Sequence, residues 1–406
     1  MGSDYSYQSK SIWQYKEFTL LLSASLLLSI GNKIYELLLP LIMYDQSGGS
    51  AIVMTSMRTA ELLPNLFFGI FIGVIVDRVN KKTWAIMMIL SQAIVLLGVY
   101  LMFGTGVYKP MIFYLAGFIL MTLNYGFFNT QVSLIKLSVP LNMLTSANAK
   151  FSFVDTFVNI MGPVFLGIVL SFLSMTQGIL VTILLYMTAF LLIKYLSISE
   201  IQKVASKKSF WSDFKEGWFA FKDNQYLRTM TIYVILVNST MSVVSTTILF
   251  FGIENLGLSN SSLSIILSIA GVGGLVASLT INELRKRMKL GVLFGIAIFL
   301  NAVAYIGLYM TNHLLLFAVS LFVLGYATTI YIISAYTFRH EQTLTHLMGR
   351  IGGITGTLFR IGMPITMLIS GWIINFWGSS FVFLGAAIMN LLVFMSYWKT
   401  SLSKLK

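Results

Sequence analysis

The chain has 406 residues, 57% of them hydrophobic and 10% charged, with a mean hydropathy of +0.84. A soluble domain carries about 25% charge, so this composition reads as a membrane protein with little outside the lipid, and length sets no domain count. Cysteine is absent, which excludes disulfides, thiolate metal sites and cysteine nucleophiles. The net charge of +13 falls mostly in turns between apolar runs, a topology signal rather than a nucleic-acid surface.

The N-terminus is polar for about its first dozen residues and lacks a small-residue cleavage site, so no signal peptide is expected. Twelve apolar runs follow, at 16–42, 51–76, 84–104, 111–135, 147–173, 178–197, 227–252, 260–282, 290–310, 314–336, 348–375 and 379–398. Each is long enough to cross a bilayer as a helix. The lysines and arginines at the ends of these runs alternate with the turns. They collect at Lys10 and Lys16, at Arg78, Lys81 and Lys82, and at Lys136 and Lys150. Further clusters lie between Lys194 and Arg228, at Arg285–Lys289, at Arg339 and Arg350, and in the tail. All fall on one face, and Lys109 alone falls on the other. Such a bias predicts a plasma (inner) membrane protein with both termini in the cytoplasm.

Between the second and third runs lies GVIVDRVNKK, Gly73–Lys82. Its Gly-x-x-x-Asp-Arg-x-x-basic-basic pattern, carried by Gly73, Asp77, Arg78, Lys81 and Lys82, resembles the signature loop of the major facilitator superfamily. In that family the loop acts as a cytoplasmic latch between two halves of a transporter. Asn80 stands where the family usually has glycine. The end of helix 1 (LLLPLIMYDQSGGSA), AELLP in helix 2 and this loop together look like the branch of macrolide-efflux and siderophore-export proteins. The resemblance implies an all-α membrane protein, twelve transmembrane helices in two six-helix bundles, working by alternating access.

The division expected is a bundle over 1–197, a linker over 198–226 and a second bundle over 227–406. In the linker, Phe210, Phe214, Trp218 and Phe221 share one helical face, which predicts an interfacial helix on the membrane. The halves read as repeats: Pro163 and Pro364 lie 201 positions apart, as do Tyr125 and Tyr326. Helix 5 carries Gly162-Pro163 and helix 11 carries Pro364, candidate hinges because proline removes a backbone donor. Gly162-Pro163 resembles in part the glycine-proline motif of drug-exporting branches.

Charges inside the spans are few and expensive: Lys33 and Glu36 in helix 1, Arg58 and Glu61 in helix 2, Asp155 in helix 5, Arg360 in helix 11. Each i,i+3 pair shares a helix face. Two readings compete. Either the acids and bases neutralise one another and fix helix packing, or a carboxylate binds and releases a proton as its solvation and cationic neighbours change. Glu36 and Asp155 are the preferred carriers, then Glu61. Lys33, Arg58 and Arg360 favour an anionic or zwitterionic cargo, such as a carboxylate-rich metal chelator, unless they serve only as partners for acids. Tyr35, Tyr125 and Tyr326 are candidate cavity-lining residues.

His340, Glu341 and His346 lack the spacing of a zinc helix, and no Gly-x-x-x-x-Gly-Lys loop is present, so neither metal nor ATP is expected. The expectation is a monomeric secondary transporter without cofactor or enzymatic activity. It would export a metallophore, antibiotic or similar small molecule by proton antiport. A lipid or lipid-linked-sugar flippase and a non-transporting scaffold or receptor are the rivals.

Overall fold

A computed structural model describes residues 11–105, 109–198, 210–344 and 347–404. Within these ranges the side chains of 69–75, 77, 78, 104, 145, 160, 210, 212, 213, 349 and 404 lie outside the description. The described residues are helical nearly throughout. Helices α1 (Lys16–Gln46), α2 (Ala51–Arg78), α3 (Lys81–Gly104), α4 (Pro110–Ser138), α5 (Leu144–Phe172) and α6 (Met175–Lys194) make the first half. After α7 (Phe210–Asp223) come α8 (Gln225–Glu254), α9 (Asn260–Arg287), α10 (Leu290–Tyr309), α11 (Leu314–Glu341), α12 (Met348–Leu358), α13 (Met363–Trp377) and α14 (Ser379–Trp398).

Ten described helices are long and apolar enough to cross a bilayer, with α12 and α13 taken as one, or eleven with the bent α5 segments. The twelfth is α2, with 28 residues. The connections are short because local side chains stop and start the helices. Ser50, Asn80, Ser174, Asn224 and Ser259 accept from backbone amides of the helices they precede, replacing partners a first turn lacks. Ser174 and Gln177 complete a reciprocal capping box.

Three elements differ from the sequence reading. The turn between the second and third spans is shorter than a decapeptide: α2 runs to Arg78 and α3 starts at Lys81. Asn80 explains the abrupt restart, since its side chain accepts from the Thr83 amide at 2.8 Å. The eleventh span is not one helix. It opens at 359–362, where Pro364 has no N–H to offer the Arg360 carbonyl. That carbonyl accepts from the Met363 amide at 3.1 Å instead, and the Phe359 carbonyl accepts from Asn238 Nδ2 on α8 at 3.0 Å. The linker helix, α7, keeps Phe214, Trp218 and Phe221 in one row, with ring centres 6.3 and 5.7 Å apart, but the buried end of that row packs on protein. Phe221 is buried against Leu227, Leu347, Ile351 and Ile354, with Phe214 packed beside them, while Trp218 is exposed.

α5 bends by 51° between 146–159 and 161–172, just before Pro163. One apolar core runs through the first half and continues into α8, α9, α11, α13 and α14 at the face opposite the basic turns. A second core stays within the last six spans and includes Met230, Leu290, Phe338 and Leu402 near the basic face. Hence the halves are welded on the side away from the cations. Close approaches there include Gly371 against Thr55, and Gly167 against Ser264. At the tip, Tyr44 donates a hydrogen bond to Glu254 and packs edge-on against Phe250.

Candidate functional site

The intramembrane charges gather into two groups near the middle of the spans. The first is a row on α1 and α2. Lys33 Nζ meets Glu36 Oε2 at 2.8 Å, Arg58 Nη2 meets Glu36 Oε1 at 2.9 Å, and Arg58 Nη1 meets Glu61 Oε2 at 2.7 Å. Arg58 also donates to the Glu36 carbonyl at 3.1 Å. The i,i+3 spacing puts each acid one turn from its base, and α1–α2 packing joins the two pairs through Arg58. Side-chain exposure falls along the row, 29% at Lys33, 21% at Glu36, 13% at Arg58 and 0% at Glu61. The row thus runs from a wetter end into dry packing. Two cations and two anions cancel, which is how charges persist in a low-dielectric interior.

The dry end carries an anomaly. Glu61 Oε1 has no hydrogen-bond partner, and neither has the hydroxyl of Tyr35, which is 1% exposed. Glu61 packs against α4 at Gly117, where an added Cβ would come within 3.2 Å of its Cγ. Tyr35 therefore sits in packed interior rather than lining an open space. At the wetter end, Lys33 lies along Gly162 of α5, 3.2 Å from where a Cβ would be. That glycine lets α5 approach α1 at its bend.

The second group centres on Arg360, in the opened segment between α12 and α13. Its Nη1 donates to Asn65 Oδ1 on α2 at 2.6 Å and to the Tyr125 hydroxyl on α4. Its guanidinium also lies 5.6 Å from the Tyr125 ring centre, within cation–π range. No carboxylate among the described residues pairs with it. Arg360 comes from the second half and both its partners from the first, so this contact spans the interface.

Asp155 stands apart from both groups, half-buried on α5. Tyr326 stays within the second half, its hydroxyl 3.3 Å from Thr280 Oγ1. In the turn after α2, Lys81 Nζ donates to the Val79 carbonyl and Lys82 Nζ to the Leu196 carbonyl at the end of α6. The side chains of Gly73, Asp77 and Arg78 lie outside the described residues, so their latch role rests on sequence alone.

Sequence reasoning passed over the neutral polar residues. Asn65 holds Arg360. Asn32 bridges Asn124 at 2.8 Å and the Tyr186 hydroxyl at 2.5 Å, and Asn238 joins the Phe359 carbonyl to Tyr331. An asparagine inside an apolar span is a signal of the same kind as a charge, because an unpaired amide is also costly there.

The model of the Major Facilitator Superfamily matches residues 21–365. An uncharacterized MFS-type transporter of Bacillus subtilis (strain 168), YvqJ, is 21% identical over 393 residues, spanning 95% of this chain and 92% of that protein. Among solved structures, the nucleoside transporter NupG in mutant form superposes with a TM-score of 0.77 at 16% identity, over 94% of this chain and 99% of that one. A bacterial homolog of the human lysosomal transporter Spinster, inward-facing and unoccupied, gives 0.75 at 14% identity over 98% of each chain.

Proposed function

The chain belongs to the Major Facilitator Superfamily and is a membrane transporter rather than an enzyme; from that premise we propose that it is a proton-coupled exporter of a small zwitterionic molecule. The observation that carries this reading is Arg360, a cation at the junction of the halves with only neutral partners among the described residues. A cation inside the membrane is costly unless its charge is used. Asn65 and Tyr125 hold it by hydrogen bonds that a cargo carboxylate would replace with a stronger, charge-assisted pair.

Asp155 supplies the complement. Glu36 is clamped by Lys33 and Arg58, whereas Asp155 has no cation partner among the described residues and is free to take either a proton or the ammonium of the cargo. Occupancy of one carboxylate by proton or ammonium, never both, makes the fluxes exchange: antiport. On this reading the basic face is the cytoplasmic one, and Tyr44–Glu254 helps to hold the far side shut. An aminocarboxylate metal chelator fits both ends of such a site, and amphoteric antibiotics share the pattern.

The test is uptake of an aminocarboxylate chelator into inside-out proteoliposomes under an imposed proton gradient. Wild type should accumulate it. Asp155→Asn should lose gradient-driven accumulation while retaining equilibrative exchange, and Arg360→Gln should lose both. Unchanged accumulation in Asp155→Asn would remove that residue from coupling; unchanged affinity in Arg360→Gln would remove the anion site.

A further inference from the structure

A second guanidinium lies against the opened segment of the broken span. Arg339 is in the last turn of α11, at the basic face. A cation at such a place ordinarily reaches outward, to headgroups and water. Arg339 does the opposite. Its guanidinium lies 4.6 Å from the ring centre of Tyr336, one turn back along α11, and 6.0 Å from that of Phe359. Phe359 is buried and directly precedes Arg360. Side chains lean toward the N-terminus of their own helix, and for a helix that ends at this face that direction is inward.

Stacking occupies the faces of a guanidinium and leaves the N–H donors along its edge to be filled. Among the described residues no acceptor meets those donors, and the acids of this end are taken elsewhere. Glu341 pairs with Arg285 at 3.2 Å, and Glu283 with Lys286 and Arg287 at 3.1 and 3.0 Å. Glu216 pairs with Arg350 at 2.7 Å, where Gly217 lets α7 touch α12; a Cβ there would lie 2.8 Å from Arg350 Cβ. Arg339 and Arg360 therefore flank one segment, each beside a tyrosine ring and neither paired with a described carboxylate. Tyr336 is 44% exposed and Arg339 partly so, which leaves the edge donors room for a ligand. Like charges in one low-dielectric neighbourhood repel, and an anion that reaches both removes that cost.

We propose, on the reading of Arg360 as an anion site, that Arg339 is a second anion-binding group of the same site and that the cargo carries at least two carboxylates, one for each arginine. A guanidinium edge takes a carboxylate in bidentate fashion, and a fork already fixed by stacking loses little freedom in doing so. Arg339 is at the basic face and Arg360 nearer mid-membrane, so a polycarboxylate entering from that face meets Arg339 first and gains its second grip at Arg360. A monocarboxylate gains one grip only. Selectivity then follows from the number of cations and does not need a closely shaped pocket.

Calorimetric titration of the full-length chain in an uncharged detergent tests this with two probes. Ethylenediamine-N,N′-diacetate has a carboxylate at each end, and ethylenediamine-N-acetate has one. Wild type should bind the diacetate about tenfold more tightly. Arg339→Gln should remove that advantage and leave the monoacetate nearly unchanged, which also reports that the variant is folded. Arg339→Lys, which keeps the charge and loses the fork, should restore part of the advantage. Arg360→Gln should weaken both probes. If Arg339→Gln weakens both probes equally, or neither, the second group is overturned; the Arg360 site survives that result when Arg360→Gln still weakens both, and falls with it when that variant does not. A wild type that binds the probes equally, or binds neither, overturns the polycarboxylate assignment. Added phosphatidylglycerol that abolishes the diacetate's advantage assigns Arg339 to a lipid headgroup and overturns it too.

Discussion

Removing Arg58 is the sharpest test of the charge row. Arg58→Leu deprives Glu61 Oε2 of its 2.7 Å partner, and Oε1 already has none. A fully buried carboxylate is then left without any partner, and breaking a buried pair from one side costs about 3–5 kcal/mol. Glu61→Leu is milder, because Arg58 keeps Glu36 Oε1 and the Glu36 carbonyl; about 1–3 kcal/mol is expected. The double variant Arg58→Leu/Glu61→Leu leaves Lys33 and Glu36 paired and the row neutral. It should recover most of the loss, since replacing both members of a buried pair by apolar groups is often neutral. Denaturant titration in detergent micelles, followed by tryptophan fluorescence, gives all three values. Additive losses in the double variant, or a larger loss for Glu61→Leu than for Arg58→Leu, would refute the row as a coupled unit.

Tyr44→Phe removes a hydrogen bond to a carboxylate at the far-side tip, worth about 1.5–3 kcal/mol. The open-to-closed ratio of that face should rise by tenfold or more, read as faster alkylation of a cysteine placed at Phe250. Gly325→Ala forces a Cβ to 1.8 Å from the Ala270 carbonyl oxygen and should abolish the folded peak in size-exclusion chromatography. Gly98→Ala, with nothing within 4 Å, should leave that peak unchanged. Asn80→Ala should cost about 1 kcal/mol of stability and Asn80→Gly only a few tenths, so the glycine usual in the family is tolerated here; chemical denaturation compares them.

The twelve spans were legible because a bilayer demands long apolar helices, and the cation bias ordered their ends. The pairs Lys33–Glu36 and Arg58–Glu61 were legible from i,i+3 spacing. Their fusion through Arg58 was not, because the angle between two helices is set by packing along their whole length. Pro364 announced a weak point, yet the opening lies at 359–362 because Asn238, on another helix, is there to satisfy the Phe359 carbonyl. The amphipathic pattern of α7 was visible, but not the helix it docks on. Gly217 and Arg350 are 133 positions apart, and no local rule couples them.

The two interruptions give the halves a common construction with different uses. Pro163 and Pro364 lie 201 positions apart, the first just after the 51° bend of α5, the second just after the turns at 359–362 that separate α12 from α13. In the first half Gly162 lies against Lys33, the wetter end of a row already neutral. In the second half the matching interruption tightens into turns at 359–362 and presents Arg360 across the interface to Asn65 and Tyr125. A hinge beside a neutral row can flex with little change in electrostatic energy, whereas a hinge that carries an unpaired cation cannot move away from its partners without losing them. On the proposed function, the second half is therefore the side on which cargo binding is felt. A carboxylate that captures Arg360 would release Asn65 and Tyr125 together, loosening a strong polar contact that ties the α12–α13 segment to α2 and α4 at mid-membrane. What remains to close the far face is the apolar core shared by the halves and the Tyr44–Glu254 bond.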